Sequence, residues 1–128
     1  MPIELQARRE ALGLSQAALA RILGVEQSTV SQWESGDHAI AAGTSAYLEH
    51  LEERLEKMID LALAGIGAAG ANSAMLFTWP DDHSFWRAHP DFDGTPAVLH
   101  RIAMARARVL AEHPDVTIAI LPADAARA

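Results

Sequence analysis

The sequence predicts a mainly α protein: an N-terminal helical bundle built around a helix-turn-helix, then a small α+β module. Three observations predict this. Two short apolar-periodic segments between Leu12 and Gly36 are separated by a single glycine turn. A longer segment from Ser45 repeats apolar residues at 3/4 spacing. Beyond the glycines at 65, 67 and 70 the period changes, and two short β-rich runs flank helical stretches. The expected division is a bundle over residues 1–64 that includes a long helix over 45–64. A glycine-rich linker over 65–72, an α+β module over 73–122 and a frayed tail over 123–128 follow.

The first helix is expected over Ile3–Leu12, with Leu5, Arg9 and Leu12 on one side. Ser15 then offers an N-cap oxygen, and Gln16–Leu23 follows as a helix with Leu19, Ile22 and Leu23 inward. Gly24 supplies a turn residue that tolerates positive φ. A second helix is expected from Gln27 to Glu34. Its Val30 and Trp33 face inward, while Gln27, Ser28, Ser31 and Gln32 share the outward face at i, i+1, i+4, i+5 spacing. Ala20 sits where two helices must cross closely. Two helices, a tight glycine turn and an outward polar face make a helix-turn-helix.

Asp37–Gly43 reads as a loop, and Thr44 or Ser45 as the cap of the long helix. That helix carries Leu48, Leu51, Leu55, Met58 and Ala62 along one stripe, and Glu49, Glu53 and Lys57 at i, i+4 spacing on the other face. Gly65, Gly67 and Gly70, set among alanines, predict a hinge. Ala74–Trp79 is a strand stopped by Pro80, and Asp82 is the expected cap of a short helix through Phe85 and Trp86. Asp93-Gly94 is a turn, and Thr95-Pro96 opens a helix over 96–112 with proline at its first position. Val116–Leu121 is the second strand, ended by Pro122. Two strands alone are marginal in water, so this strand-helix-helix-strand module is expected to pair with its copy in a second subunit.

Composition narrows the function classes. The chain has 128 residues, half of them apolar, which excludes disorder throughout. It has no cysteine, hence no disulfide and no thiolate metal site, as suits a reducing compartment. No apolar run reaches spanning length and the N-terminus lacks a signal-peptide core, so no membrane and a cytoplasmic location are expected. The six histidines (His38, His50, His83, His89, His100 and His113) show no compact ligand spacing. No nucleophile-base constellation or phosphate loop is present, so neither a metal, a cofactor nor an enzymatic activity is expected. Ten basic against seventeen acidic residues give a net charge of −7. Residues 1–38 hold only Arg8, Arg9 and Arg21 as cations, against five acids. Lys and Arg normally supply the phosphate neutralisation behind nonspecific DNA affinity. A reader with so few must use neutral donors and helix N-termini.

Arg9, the LGLSQ run at 12–16, Leu19-Ala20, Leu23-Gly24-Val25, Val30 and the WESG run at 33–36 together resemble the lambda-repressor/Cro (XRE) family of DNA-binding domains. The resemblance covers about residues 3–60. It implies a compact lambda-repressor-like bundle whose second motif helix enters the major groove of double-stranded DNA. By that likeness Gln27, Ser28 and Gln32 match base-edge positions, with Ser31 nearby. Gln16 matches a phosphate-contact position, and Ser15, Thr29 and Arg8 are further backbone candidates. A glutamine amide offers donor and acceptor together, as adenine N6 and N7 require. Arg9 and Glu34 resemble the family's internal ion pair. Two departures stand out. Glu26 occupies a position where the family usually has Ser or Thr, and Asp37 and His38 stand where it often places Lys or Arg.

The whole layout is also similar to the anti-CRISPR-associated repressors and their small bacterial relatives, which are dimeric autorepressors acting on inverted repeats, some also through RNA. The expectation is a homodimeric, sequence-specific transcriptional repressor of a palindromic operator. Half-sites would lie about 34 Å apart or a multiple of that. The alternative is an antitoxin-like or adaptor protein whose C-terminal module binds a protein partner, with weak DNA binding or none. RNA is a further possible partner.

Overall fold

A computed structural model describes residues 2–69, 74–112 and 115–122. Residues 70–72 of the expected linker, His113 and the tail over 123–128 lie outside the described residues. The chain divides into two compact units, Met1–Glu52 and Glu53–Ala128. The described part is mainly α, with one small sheet, as the sequence predicts.

In the first unit, α1 (Pro2–Ala11), α2 (Gln16–Leu23) and α3 (Gln27–Ser35) precede the start of α4 (Thr44–Ala69). α3 packs against both α1 and α2. Local chemistry sets the turns. Ser15 Oγ accepts from the Ala18 N–H at 3.0 Å and caps α2. Gly24 closes it at φ 72°, and the Val25 N–H donates to the Ala20 carbonyl at 2.9 Å. A Cβ at Gly24 would meet nothing within 4 Å, so the backbone angle and not crowding favours glycine there. Leu5, Leu12, Leu14, Leu19, Ala20, Val30, Trp33, Leu48 and Leu51 are buried. Each full-size apolar side chain among them contributes roughly 1.5–3 kcal/mol of transfer free energy.

In the second unit, Leu55, Met58, Ile59, Ala62 and Ile66 of α4 are buried. β1 (Ala74–Thr78) and β2 (Val116–Ile120) pair in parallel, from Ala74 opposite Val116 to Thr78 opposite Ile120. A parallel pair cannot be closed by a tight turn. The crossover is α5 (Asp82–Ala88), a 3₁₀ turn (Pro90–Phe92) and α6 (Ala97–Leu110). β1 alternates: Ala74, Leu76 and Thr78 face inward, while Met75 and Phe77 face out. Phe85, Leu99, Ala103 and Ala107 are fully enclosed.

Three local expectations are corrected. α4 does not end at residue 64; it runs through Gly65 and Gly67 to Ala69. Each glycine costs a helix only about 1 kcal/mol relative to alanine, and burying Ile66 between them offsets part of that. The cap of α5 is Asp81, which accepts from the Ser84 N–H at 2.8 Å. Asp82 instead reaches across to α6, where its Oδ1 accepts from the Ala97 N–H at 2.7 Å. Pro96 stands just before α6, at the cap position, not as its first helical residue.

Candidate nucleic-acid interface

α3 begins abruptly. Glu26 holds the N-cap position in extended conformation, and its side chain makes no capping bond. The first N–H groups of a helix have few partners within it: the Glu26 carbonyl accepts from the Thr29 N–H at 3.0 Å, and the N–H groups of Gln27 and Ser28 are left as donors beside an acidic side chain. Gln27, Ser28, Ser31 and Gln32 are exposed along the same helix, and Thr29 is half-buried. Val30 and Trp33 anchor the opposite side in the core. At the far end Gly36, at φ 85°, lets the Asp37 N–H donate to the Gln32 carbonyl at 3.0 Å.

A buried polar cluster fixes the C-terminal end of α3. Arg9 forks onto Glu34, Nε donating to Oε2 at 2.7 Å and Nη2 to Oε1 at 3.0 Å. Both side chains are nine-tenths or more buried. Arg9 Nη1 donates also to the Leu14 carbonyl at 2.8 Å, which ties α1, the following turn and α3 together. The Arg9 hydrogen bonds hold the Glu34 carboxyl below the usual carboxylate range, and Glu34 in turn raises the Arg9 guanidinium. Gln16 joins this cluster: its amide nitrogen donates to Glu34 Oε1 at 3.0 Å. No spacing rule in the sequence announces that contact. The start of α2 is thereby held to the end of α3, and the Gln16 side chain is half-buried.

Arg8 is also committed inside the protein. Its Nη2 and Nε donate to the Glu52 carboxylate at 2.6 and 3.1 Å, and Nη1 to Ser45 Oγ at 3.0 Å. The structure thus places Arg8 in an ion pair with α4 and not among the outward residues of α2 and α3. Glu52 and Ser45 were not legible as its partners, since the carboxylate lies 44 residues away. Of the three arginines in the first unit, Arg21 is the exposed one. Ser15 is exposed too, though its Oγ already serves the Ala18 N–H.

Residues 5–46 match the Helix-turn-helix family. They are a helix-turn-helix domain of the XRE type. No curated protein matches the chain. The helix-turn-helix match takes in α1 from Leu5 onward, α2, α3 and the first residues of α4, including both members of the Arg9–Glu34 pair. The helix-turn-helix domain is a DNA-binding regulatory domain and not a catalytic one. Among the described residues, no group of three or more His, Cys, Asp or Glu could hold a metal ion. No described helix is long and apolar enough to cross a membrane.

Proposed function

We propose that the chain is a sequence-specific transcriptional regulator that represses by occupying a palindromic operator as a homodimer. One observation carries this reading: the exposed polar face of α3 is mounted on a rigid base, with Arg9, Gln16 and Glu34 clamping the helix from behind. A recognition helix must hold its side chains in register with base edges, and a clamped helix does so at low entropic cost. Gln27, Ser28 and Gln32 would read bases in the major groove, with Ser31 beside them. Ser15, Thr29, Arg21 and the free N–H groups at the starts of α2 and α3 would meet phosphates. Gln16 would contribute mainly by orienting α2, since its amide is already held by Glu34. Arg8 drops out of the phosphate set for the same reason.

Pairing of two copies belongs to the second unit in this reading. Among the described residues its sheet has two strands, which leaves an edge open on each side, and Val109, Leu110 and Ile120 are exposed. The deciding experiment is selection of bound sequences from a random duplex pool with the full chain. Enriched inverted repeats with half-sites about 34 Å apart, or a multiple of it, support the proposal. Absence of any enriched sequence overturns it.

An adaptor or antitoxin-like role is the second reading, and the commitment of Arg8 and Arg9 to carboxylates favours it. A unit with so little free positive charge has little to offer DNA phosphates. A stoichiometric protein partner on purification, together with no protection of DNA in footprinting, would establish that role.

A further inference from the structure

The second unit contains a cavity of about 340 Å³ that is not used by the reading above. Met58 of α4, Met75 of β1 and Met104 of α6 contribute to its wall, along with Trp79, His89 and His100. The volume lies within the range of small-molecule sites, and methionine is the side chain that best adapts to an apolar guest. The wall is graded. Leu61, Met75 and Phe77, all of which line the cavity, are 57%, 55% and 45% exposed, so they form its mouth. Trp79 and His100 are buried and His89 is half-buried, so these polar groups lie inward of that mouth.

That inner end is one aromatic corner. His89 and His100 stack with ring centres 5.5 Å apart, and Trp79 meets them edge-on at 4.8 and 5.3 Å. Thr78 Oγ1 and His100 Nδ1 share a hydrogen bond, which fixes that ring. The Trp79 indole N–H is buried and has no hydrogen-bond partner among the described residues. A buried donor without an acceptor is uncommon in folded proteins and calls for an explanation. Burial lowers the pKa of both imidazoles, so the corner is uncharged near neutrality. Among the described residues, no Asp, Glu, Lys or Arg lines the cavity; Arg54 and Lys57 lie against the Phe92 ring but are not part of the wall.

We infer that this cavity binds a small, uncharged, planar apolar molecule carrying a hydrogen-bond acceptor, such as an aromatic ketone or amide. The ring enters between the methionines, and the acceptor takes the Trp79 N–H after a small side-chain adjustment. Phosphates, carboxylates and ammonium groups are rejected, because the wall offers them no countercharge. The site stands independently of whether the first unit binds DNA.

Nuclear magnetic resonance of the full-length protein labelled with nitrogen-15 tests this. Acetophenone and benzamide serve as neutral probes, benzoate and benzylamine as charged ones. The expected result is a saturable shift of the Trp79 indole resonance and of the Met75–Trp79 amides with the neutral pair, at least tenfold weaker with the charged pair. Ala62→Phe, which fills the cavity, should abolish the shift. Leu61→Trp narrows the mouth from an exposed position that the core does not need, and should weaken binding several-fold even if the first variant fails to fold. The inference is overturned by no Trp79 shift up to probe solubility, by equal binding of benzoate and benzamide, or by binding unchanged in the variants.

Discussion

His100 Nδ1 lies 2.9 Å from Thr78 Oγ1, joining α6 to β1 through a hydrogen bond between two buried side chains. Burial, then the neighbouring His89 and Arg101, lowers the His100 pKa from 6.5 to about 4. Between those values the unfolded chain binds a proton that the folded one refuses. The contribution is therefore fully present above pH 6.5 and is lost as pH falls toward 4. The full difference amounts to roughly 3 kcal/mol. Urea unfolding at pH 7.5 and 4.5 should show this loss in the wild type and a smaller one in His100→Gln. Equal pH dependence in both proteins would refute the assignment.

Glu34 serves Arg9 and Gln16 at once, so the two substitutions should differ in size. Arg9→Met leaves a buried carboxylate without its cation and should cost about 3 kcal/mol. Gln16→Ala removes one hydrogen bond to a charged group that keeps its main partner, and should cost about 1–2 kcal/mol. Denaturant midpoints at pH 7 measure both. Near-neutral stability in Arg9→Met would mean the pair is dispensable.

Gln27→Ala and Gln32→Ala should each cost on the order of 1–3 kcal/mol at one operator position and relax specificity there. Because Arg8 and Arg9 are engaged elsewhere, affinity should depend only weakly on salt, and Arg21→Ala should flatten the slope by about one further unit. Binding titrations across a salt series check this. Uniform loss on every sequence would show that the glutamines support the helix instead, and a steep slope would show that the charge accounting fails.

At the start of α3, Glu26 sets a negative charge beside the first turn of the helix and supplies no cap. Glu26→Ser should tighten DNA binding and raise stability by about 0.5 kcal/mol, the new cap outweighing the lost charge–dipole term. Glu26→Gln should tighten binding with little change in stability. A weaker complex for both variants would indicate that Glu26 accepts from a base.

Asp82 caps α6 from outside that helix, which predicts a loss at a distance. Asp82→Ala should destabilise the second unit by about 1–2 kcal/mol, since the Ala97 N–H loses its acceptor. Asp82→Asn keeps an acceptor and should recover most of that. Thermal unfolding of both variants decides the matter; indistinguishable losses would mean that charge, and not hydrogen bonding, is what Asp82 provides.

The glycines show where pattern reading meets its limit. Gly24 and Gly36 stand at the ends of short helices and adopt positive φ. Gly65 and Gly67 have the same chemistry but lie inside α4. A glycine permits a break without demanding one, and the apolar stripe that continues through Ile66 carries the helix on. The 3₁₀ turn at Pro90–Phe92 was likewise not legible, because its apolar anchor, Phe92, packs under Arg54 and Lys57 of α4, which are distant in sequence.

By itself the sequence determined what depends on neighbours a few residues apart. The Ser15 cap, the Gly24 turn, the inward Val30 and Trp33, the outward glutamines and the two β-rich runs all follow from local hydrogen bonding and from the 3.6- and two-residue periods. Only the tertiary structure decided which distant groups meet. Arg8 finds Glu52, Gln16 finds Glu34, Asp82 finds the Ala97 N–H, and Thr78 finds His100. It also decided that the strands run parallel. Charge and hydrogen-bonding capacity are written in each residue, but the partner that satisfies them is chosen by packing, and packing is a property of the whole chain.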